Sequence, residues 1–555
     1  MRGERAAVVV LTVIALVIRA NLAYRGGIWA DEGMALSVIG IGSTGGMLEF
    51  LRLHESHPPL FYLILRGWRW IAGTGDPATL ALMVMLSTLL VPLVHRVTRS
   101  LFNARAAIGV AALVALSPSL SEHASQIRPY GLLAILVVLA CYYLVRAIDD
   151  DGWRHWMRFA LAATLMLYTH NWTWLVFGGA LLAAFIAIVR SAPTRRRRLF
   201  AQLGLSAAVI LFLFLPWMSS LIFQAGHAGH TGLGLMTISD RLGFLLFAIV
   251  SIPDYLLLGT YPRDAMRLVL IACGVAAAAV PGIVLSKRTP GSLTSPRESG
   301  NAAGPRAIQV MLITSGCAVA GAAVLSPWST LFIERCVAIV TPLVLIAVAA
   351  LLDRMVAKSA GIPRASLGIG LFVFLLALEA ANDVALAPTA RSNARAVAAE
   401  IRASMRDDDL LIVAPEWFAP SFNHYFPPSI EQKDHPFDGR SGPVDFSSER
   451  RRTLDPAATQ RLENAISAAR ANGRRVWLVS ERKYLRYADD VLPKLSSQAE
   501  RERYAPVMRA KEARDLLSHA YGQPDTSHFV HGRVSRYEEL LPFLFAPPLP
   551  ASTAF

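Results

Sequence analysis

Up to about residue 390 the chain is a succession of apolar stretches, each about 13–22 residues long, separated by short polar breaks. About 20 apolar residues in a helix span the hydrocarbon of a bilayer. Hydrocarbon also leaves no partner for an unpaired backbone group, so such a series folds as a bundle of membrane helices. Of 555 residues, 54% are hydrophobic and only 17% are charged, against about 25% charged in soluble domains. Spans are expected near 6–24, 78–98, 105–119, 130–147, 157–170, 172–190, 199–220, 266–285, 307–326, 333–352 and 364–383. The expected fold is a mostly α polytopic membrane protein of about 11 transmembrane helices, residues 1–389, followed by a small soluble α/β domain, residues 390–555.

The basic breaks set an orientation. Arg96, Arg99 and Arg105, the run Arg195 to Arg198, the segment Lys287 to Arg306, and Arg354 to Arg364 are all expected on the cytoplasmic side, where Lys and Arg accumulate. The N-terminus then lies inside. The loops 25–77, 120–129, 221–265 and 327–332, and everything after 390, lie outside. The four basic breaks agree only if 58–74 and 241–260 do not cross; these two read as interfacial or packed helices. Arg2 and Arg5 before an apolar run resemble a signal peptide, but no small-residue cleavage site follows, so an uncleaved first span is expected. The net charge of +14 fits basic loops beside anionic lipid, and nucleic acid is not an expected partner. Cys141, Cys273, Cys317 and Cys336 lie in apolar stretches without a CxxC pair and read as small buried hydrophobes.

After 390 the pattern changes. Ala394 to Met405 and Ala457 to Ala471 read as helices, Leu410 to Ala414 and Arg475 to Ser480 as buried strands, and 427–455 as a long loop. Helix–strand alternation implies some parallel sheet. There is no P-loop, GxGxxG, HExxH or GxSxG, which excludes the commonest soluble enzyme classes.

The chemistry sits in the expected outer loops. Trp29-Ala30-Asp31-Glu32-Gly33 places two carboxylates just past the first span, a costly position. One such carboxylate suits a general base toward a hydroxyl, or a divalent-cation ligand; Asp31 also suits a helix cap. His57-Pro58-Pro59 starts a helix, with His57 a substrate contact or metal ligand. The stretch Ser117 to Tyr130 holds Glu122, His123, Gln126, Arg128 and Tyr130. Arg128 either snorkels to headgroups or grips a phosphate with its planar fork, and its neighbours Gln126 and Tyr130 favour phosphate. His170 sits at the polar break between two spans. His227 and His230 form an HxxH pair in a glycine-rich segment that reads as a loop. Glu334-Arg335 heads a late span, where the pair faces a cavity.

Together these motifs resemble the GT-C superfamily of multispan glycosyltransferases: Trp29 to Glu32, then His57 to Leu63, then Ser117 to Tyr130, then Arg335 before Pro342. The nearest groups are the protein O-mannosyltransferase-like and lipid A aminoarabinose transferase-like enzymes. The resemblance covers roughly residues 1–390. It implies Asp31 as the catalytic acid/base candidate, and the adjacent Glu32 is a second catalytic candidate on the reading of the residues themselves. It implies Arg128 as a donor-phosphate contact; the residues themselves add Tyr130 and Arg335 as donor-phosphate contacts, Arg335 alternatively pairing with Asp31, and His57, Gln126, His170 and Glu334 as substrate contacts. Gln126-Ile127 before Arg128, and Cys336 after Arg335, depart from the usual pattern and bear on which substrate is used.

The activity implied is inverting transfer of a hexosyl or pentosyl group from a polyprenyl-phosphate sugar to a hydroxyl of a glycolipid, cell-wall polymer or protein. The implied setting is the outer face of a bacterial inner membrane. A divalent cation at Glu32 or His57 is compatible with it. The rival class is a lipid-linked-sugar flippase or transporter. That class expects ionisable residues near mid-span and repeated halves, whereas the loop charges cluster at one face.

Overall fold

The structure, a computed structural model, describes residues 2–55, 57–123, 125–150, 152–227, 303–325, 338–357, 362–386, 390–426, 430–436, 439, 442–443, 452–490, 492–494, 504–529 and 538–547. The chain divides into two compact units. One comprises residues 1–23, 57–219 and 238–387; the other comprises 24–56, 220–237 and 388–555. The first outer segment therefore belongs with the tail.

The described helices of the first unit are α1 (Arg2–Arg25), α4 (Leu60–Ala72), α5 (Asp76–Leu101), α6 (Ala104–Leu116), α7 (Pro118–His123), α8 (Tyr130–Asp150), α9 (Trp153–Leu167), α10 (Thr173–Val189), α11 (Pro193–His227), α12 (Ala303–Leu325), α13 (Thr341–Ala357) and α14 (Ile362–Leu386). Six described helices are long and apolar enough to cross a membrane: α1, α5, α8, α11, α12 and α13. Shorter apolar helices, α6, α10 and residues 368–381 of α14, pack among them. Every expected span on described residues falls on one of these helices except 157–170, which falls on α9. The expected span 266–285 and the segment 241–260 lie outside the described residues.

The basic breaks gather at one end of this bundle. Glu4 in α1 meets His95 and Arg99 of α5 at 3.2 and 3.1 Å. Arg105 of α6 pairs with Asp353 of α13 at 3.0 Å. Arg306 of α12 pairs with Asp149 of α8, whose carbonyl and that of Ile148 accept from Arg195 at 3.2 and 3.0 Å. The opposite end carries the 117–130 turn and the α9–α10 junction. Helix α4 starts there, its Leu60 N–H donating to Tyr168 O at 3.0 Å. Helix α5 begins just after α4 and finishes at the basic end. Thus α4 does not cross, and it leaves Trp70 and Ile71 exposed.

Among the described residues two charged side chains are buried inside spans, Glu379 of α14 and Arg19 of α1. Arg19 of α1 is fully buried. Its guanidinium donates to the carbonyl of Ser87 and to that of Val114 at 2.7 Å. The carbonyl of Val114 would ordinarily accept from residue 118, but that residue is Pro118 and has no N–H. Arg19 thus closes the last turn of α6, where the 117–130 segment departs.

In the second unit, α2 (Ala30–Ile39) and α3 (Thr44–Leu53) precede a tail with α15 (Ala394–Ser404), α16 (Ala419–Tyr425), α17 (Ala457–Ala471), α18 (Arg482–Asp490) and α19 (Ala505–Tyr521). Four strands, β1 (Leu410–Val413), β2 (Gln432–Asp434), β3 (Val476–Glu481) and β4 (Leu540–Phe545), form a sheet in the order β2-β1-β3-β4. β1 is parallel to β2 and β3; β4 runs antiparallel to β3. Alternation sorts the side chains to two faces. Leu410, Ile412, Val476 and Leu478 pack with Leu462, Ile466, Ala513 and Leu517. Leu411, Val413, Trp477 and Val479 pack with Val397, Ile401, Phe418 and Phe422. The expected long loop at 427–455 is corrected at its start, where Gln432–Asp434 is a strand; three polar-flanked residues carry no periodicity. β4 contains Pro542, tolerated because it is the edge strand.

Replacing Arg19 with leucine would leave the Val114 carbonyl unpaired in a low-dielectric setting, at about 1–3 kcal/mol. Detergent-solubilised Arg19→Leu is expected to melt well below the wild type, with Arg19→Lys in between. Wild-type melting for both variants would remove this role.

Candidate functional site

In the bundle unit, four sequence-expected residues come together. Pro58 and Pro59 start α4 and hold His57 at its threshold. Arg128 is buried, and its Nη2 lies 3.3 Å from His57 Nε2. A guanidinium only donates, so His57 Nε2 accepts and neutral His57 carries its proton on Nδ1. The His57 and His170 rings meet edge to face at 4.7 Å. Nδ1 of His170 accepts the Trp172 N–H at 3.1 Å, which puts the proton of a neutral His170 on Nε2. Tyr130, the first residue of α8, lies 6.3 Å from the ring of His170 and 6.3 Å from that of His123. Gln126 is fully buried, and its carbonyl accepts the Arg128 N–H at 2.7 Å. The result is a buried guanidinium in a group of imidazoles and a phenol, and a guanidinium is suited to hold an anion. His123, ambiguous in the sequence, joins the group.

In the tail unit, Asp31 and Glu32 occupy the first turn of α2, where the helix dipole favours negative charge. Asp31 is half-buried and Glu32 fully buried. Glu32 Oε2 accepts the Trp29 N–H at 3.3 Å and lies 3.4 Å from Arg391 Nε. Three glycines let this segment approach the tail backbone. A Cβ on Gly33 would stand 2.5 Å from Ser421 N, and one on Gly26 2.7 Å from Arg391 N. Gly27 N–H donates to Ser392 O at 3.2 Å. α16 begins just beyond the carboxyl end of β1. That end is where open α/β sheets usually take ligands, and here the chain's own α2 fills it.

Beneath the junction lies Glu538, 1% exposed, hydrogen-bonded to Ser392 Oγ at 2.7 Å and Ser421 Oγ at 2.5 Å. Burial pushes its carboxyl up to about 8, against the opposing pull of the two serines, and the nearby Glu481 and Glu32 push it further. Ser421 has one hydroxyl proton and two acceptors in reach, since Phe418 O stands at 3.0 Å. A protonated Glu538 resolves this by donating to Ser421, which donates to Phe418. Burial also raises Glu481 to about 7, although the Tyr484 N–H stabilises its charge.

Sequence reading missed Arg391, Ser392, Ser421 and Glu538. They stand hundreds of positions from Glu32, and no local pattern marks them. Glu334 and Arg335 lie outside the described residues. As metal ligands, Glu32 and His57 are ill-suited, one facing the Arg391 cation and the other taking the Arg128 N–H. Among the described residues no group of three or more His, Cys, Asp or Glu could hold a metal ion.

The dolichyl-phosphate-mannose-protein mannosyltransferase family matches residues 56–219. Curated proteins give no match. The fold is similar to the crystal structure of ArnT from Cupriavidus metallidurans bound to undecaprenyl phosphate, with 15% identity, TM-score 0.50, and 88% of this chain and 95% of that one covered. The apo ArnT structure gives 15% identity and TM-score 0.50 over 88% and 96%. The archaeal oligosaccharyltransferase AglB of Archaeoglobus fulgidus, in complex with an inhibitory peptide and a dolichol-phosphate, gives 11% identity and TM-score 0.48 over 94% and 72%. The family model matches 164 of the 555 residues, and the chain shares the fold of the two ArnT structures over most of its length, with six described helices long and apolar enough to cross a membrane.

Raised carboxyls favour the folded state while protonated. The unfolded chain ionises near 4.5, so the tail unit is expected to lose stability progressively from about pH 4.5 to about 8, by on the order of a few kcal/mol. Glu538→Gln keeps an acceptor for Ser392 and a donor for Ser421 without ionising. Its melting temperature at pH 8 should exceed that of the wild type, with a flatter pH slope. A wild-type slope in this variant would remove Glu538 as the cause.

Proposed function

We propose that the chain is an inverting glycosyltransferase that moves a sugar from a polyprenyl-phosphate donor to an acceptor hydroxyl on the extracytoplasmic face of a bacterial inner membrane. The observation that carries this reading is the cluster of buried Arg128, His57 and Tyr130 with half-buried His170, at the bundle end opposite the basic breaks. Because Lys- and Arg-rich ends stay cytoplasmic, the cluster faces outward, the N-terminus lies inside, and the tail domain lies outside. The related ArnT is described bound to undecaprenyl phosphate, which supports a lipid-phosphate donor. The acceptor class is a glycolipid, a cell-wall polymer or a protein.

In this reading Arg128 binds the donor phosphate, with Tyr130, His57, His170 and Gln126 shaping its surroundings, and Arg335 is a second phosphate contact. Asp31 takes the proton from the acceptor hydroxyl. The hydroxyl oxygen bonds to the anomeric carbon from the face opposite the phosphate. The bond from that carbon to the phosphate oxygen breaks, inverting the centre, and polyprenyl phosphate leaves with the electron pair. Arg128 acts where this charge develops, the position from which a fixed donor accelerates most. Glu32 supports Asp31, and Glu334 contacts substrate. A divalent cation at Glu32 or His57 would have to displace Arg391 or Arg128, so no step is assigned to one.

Membrane vesicles given radiolabelled polyprenyl-phosphate sugars are expected to release polyprenyl phosphate. Arg128→Ala should lower the rate by about 10²–10³, and Asp31→Asn by about 10²–10⁴. Chelation with EDTA should change the wild-type rate by less than about twofold. Intact label crossing the bilayer without release would instead identify a transporter, and wild-type rates in both variants would overturn the assigned roles.

A further inference from the structure

We infer that Arg391 is a positioning residue for the transfer reaction, holding Glu32 and through it the first turn of α2 that carries Asp31. This inference rests on the reading of Asp31 as the base. Arg391 and Glu32 are 6% and 0% exposed, and Nε stands 3.4 Å from Oε2. The same carboxylate oxygen takes the Trp29 N–H at 3.3 Å, so one side chain ties Arg391 to the start of α2. The contact is embedded rather than incidental. Gly26 and Gly27 press on the backbones of Arg391 and Ser392, and Gly33 presses on Pro420 and Ser421. Glu538 bridges Ser392 to Ser421 behind them. The tail is thereby built into the support of the acidic first loop.

Removing one partner of a buried ion pair leaves the other charge uncompensated, which is worse than removing both. Without Arg391, Glu32 must turn away or take up a proton. Either loosens the Trp29 contact and the turn bearing Asp31. A residue that acts in this way changes the chemical step and leaves donor affinity alone.

The test uses full-length protein in vesicles with a radiolabelled polyprenyl-phosphate sugar, and reads kcat, KM for the donor and melting temperature. Arg391→Met is expected to lower kcat by about 10–100-fold with KM for the donor within about twofold. Adding Glu32→Gln keeps an acceptor for Trp29 and deletes the stranded charge. The double variant should recover to within about threefold of the wild-type kcat and run faster than Arg391→Met, the coupling expected of a contacting pair. If Arg391→Met does not fold, Arg391→Lys takes its place, with an expected kcat loss of about 3–10-fold at unchanged KM. Wild-type kcat in Arg391→Met or Arg391→Lys would overturn the inference. So would a double variant as slow as Arg391→Met alone, which would make Glu32 itself a reacting group. If Asp31→Asn works at the wild-type rate, the reading of the base fails. If Asp31→Asn is inactive while Arg391→Met is fully active, only the positioning role fails.

Discussion

Hydrocarbon tolerates neither an uncompensated charge nor an unpaired backbone carbonyl, and the bundle is organised around that intolerance. Basic residues gather at one end, where Glu4, Asp149 and Asp353 tie six helices together in three pairs. The single arginine fully buried within α1 is admitted because Pro118 and the turn before it leave a carbonyl to satisfy. Apart from the buried Arg19 and Glu379, the polar chemistry of the bundle collects at the other end. There Arg128 is held among imidazoles and a tyrosine by the Pro58-Pro59 turn, the 117–130 turn and the α9–α10 junction.

The tail unit solves a different problem. A four-stranded α/β sheet with both faces covered leaves the carboxyl ends of β1 and β3 as its natural ligand position. Three glycines bring residues 26–33 against that edge, and a helix with two acids in its opening turn sits there. Burying three carboxyls close together is affordable only because they differ: Glu32 has Arg391, Glu538 stays protonated between two serines, and Glu481 takes a backbone N–H.

The positions of helices and strands follow from the spacing of apolar residues. Period-3.6 or continuous apolar runs marked each described span, and the basic breaks marked which ends share a side. Leu410–Val413 and Val476–Glu481 announced themselves as short buried strands. β2 did not, being three residues long, and β4 hides behind Pro542, a residue acceptable only at an edge. Asp31, Glu32, His57, Arg128 and Tyr130 stood out because charge and imidazole at the ends of membrane helices are expensive to keep. Their local chemistry was determined by the sequence alone. Which groups they meet was decided by the tertiary structure. Arg391 and Glu538 reach Glu32 and Ser421 across more than a hundred residues of chain. The protonation of Glu538 and the tautomers of His57 and His170 depend on partners brought from other elements. Periodicity is a property of neighbours in sequence, and burial, pairing and proton position are properties of neighbours in space.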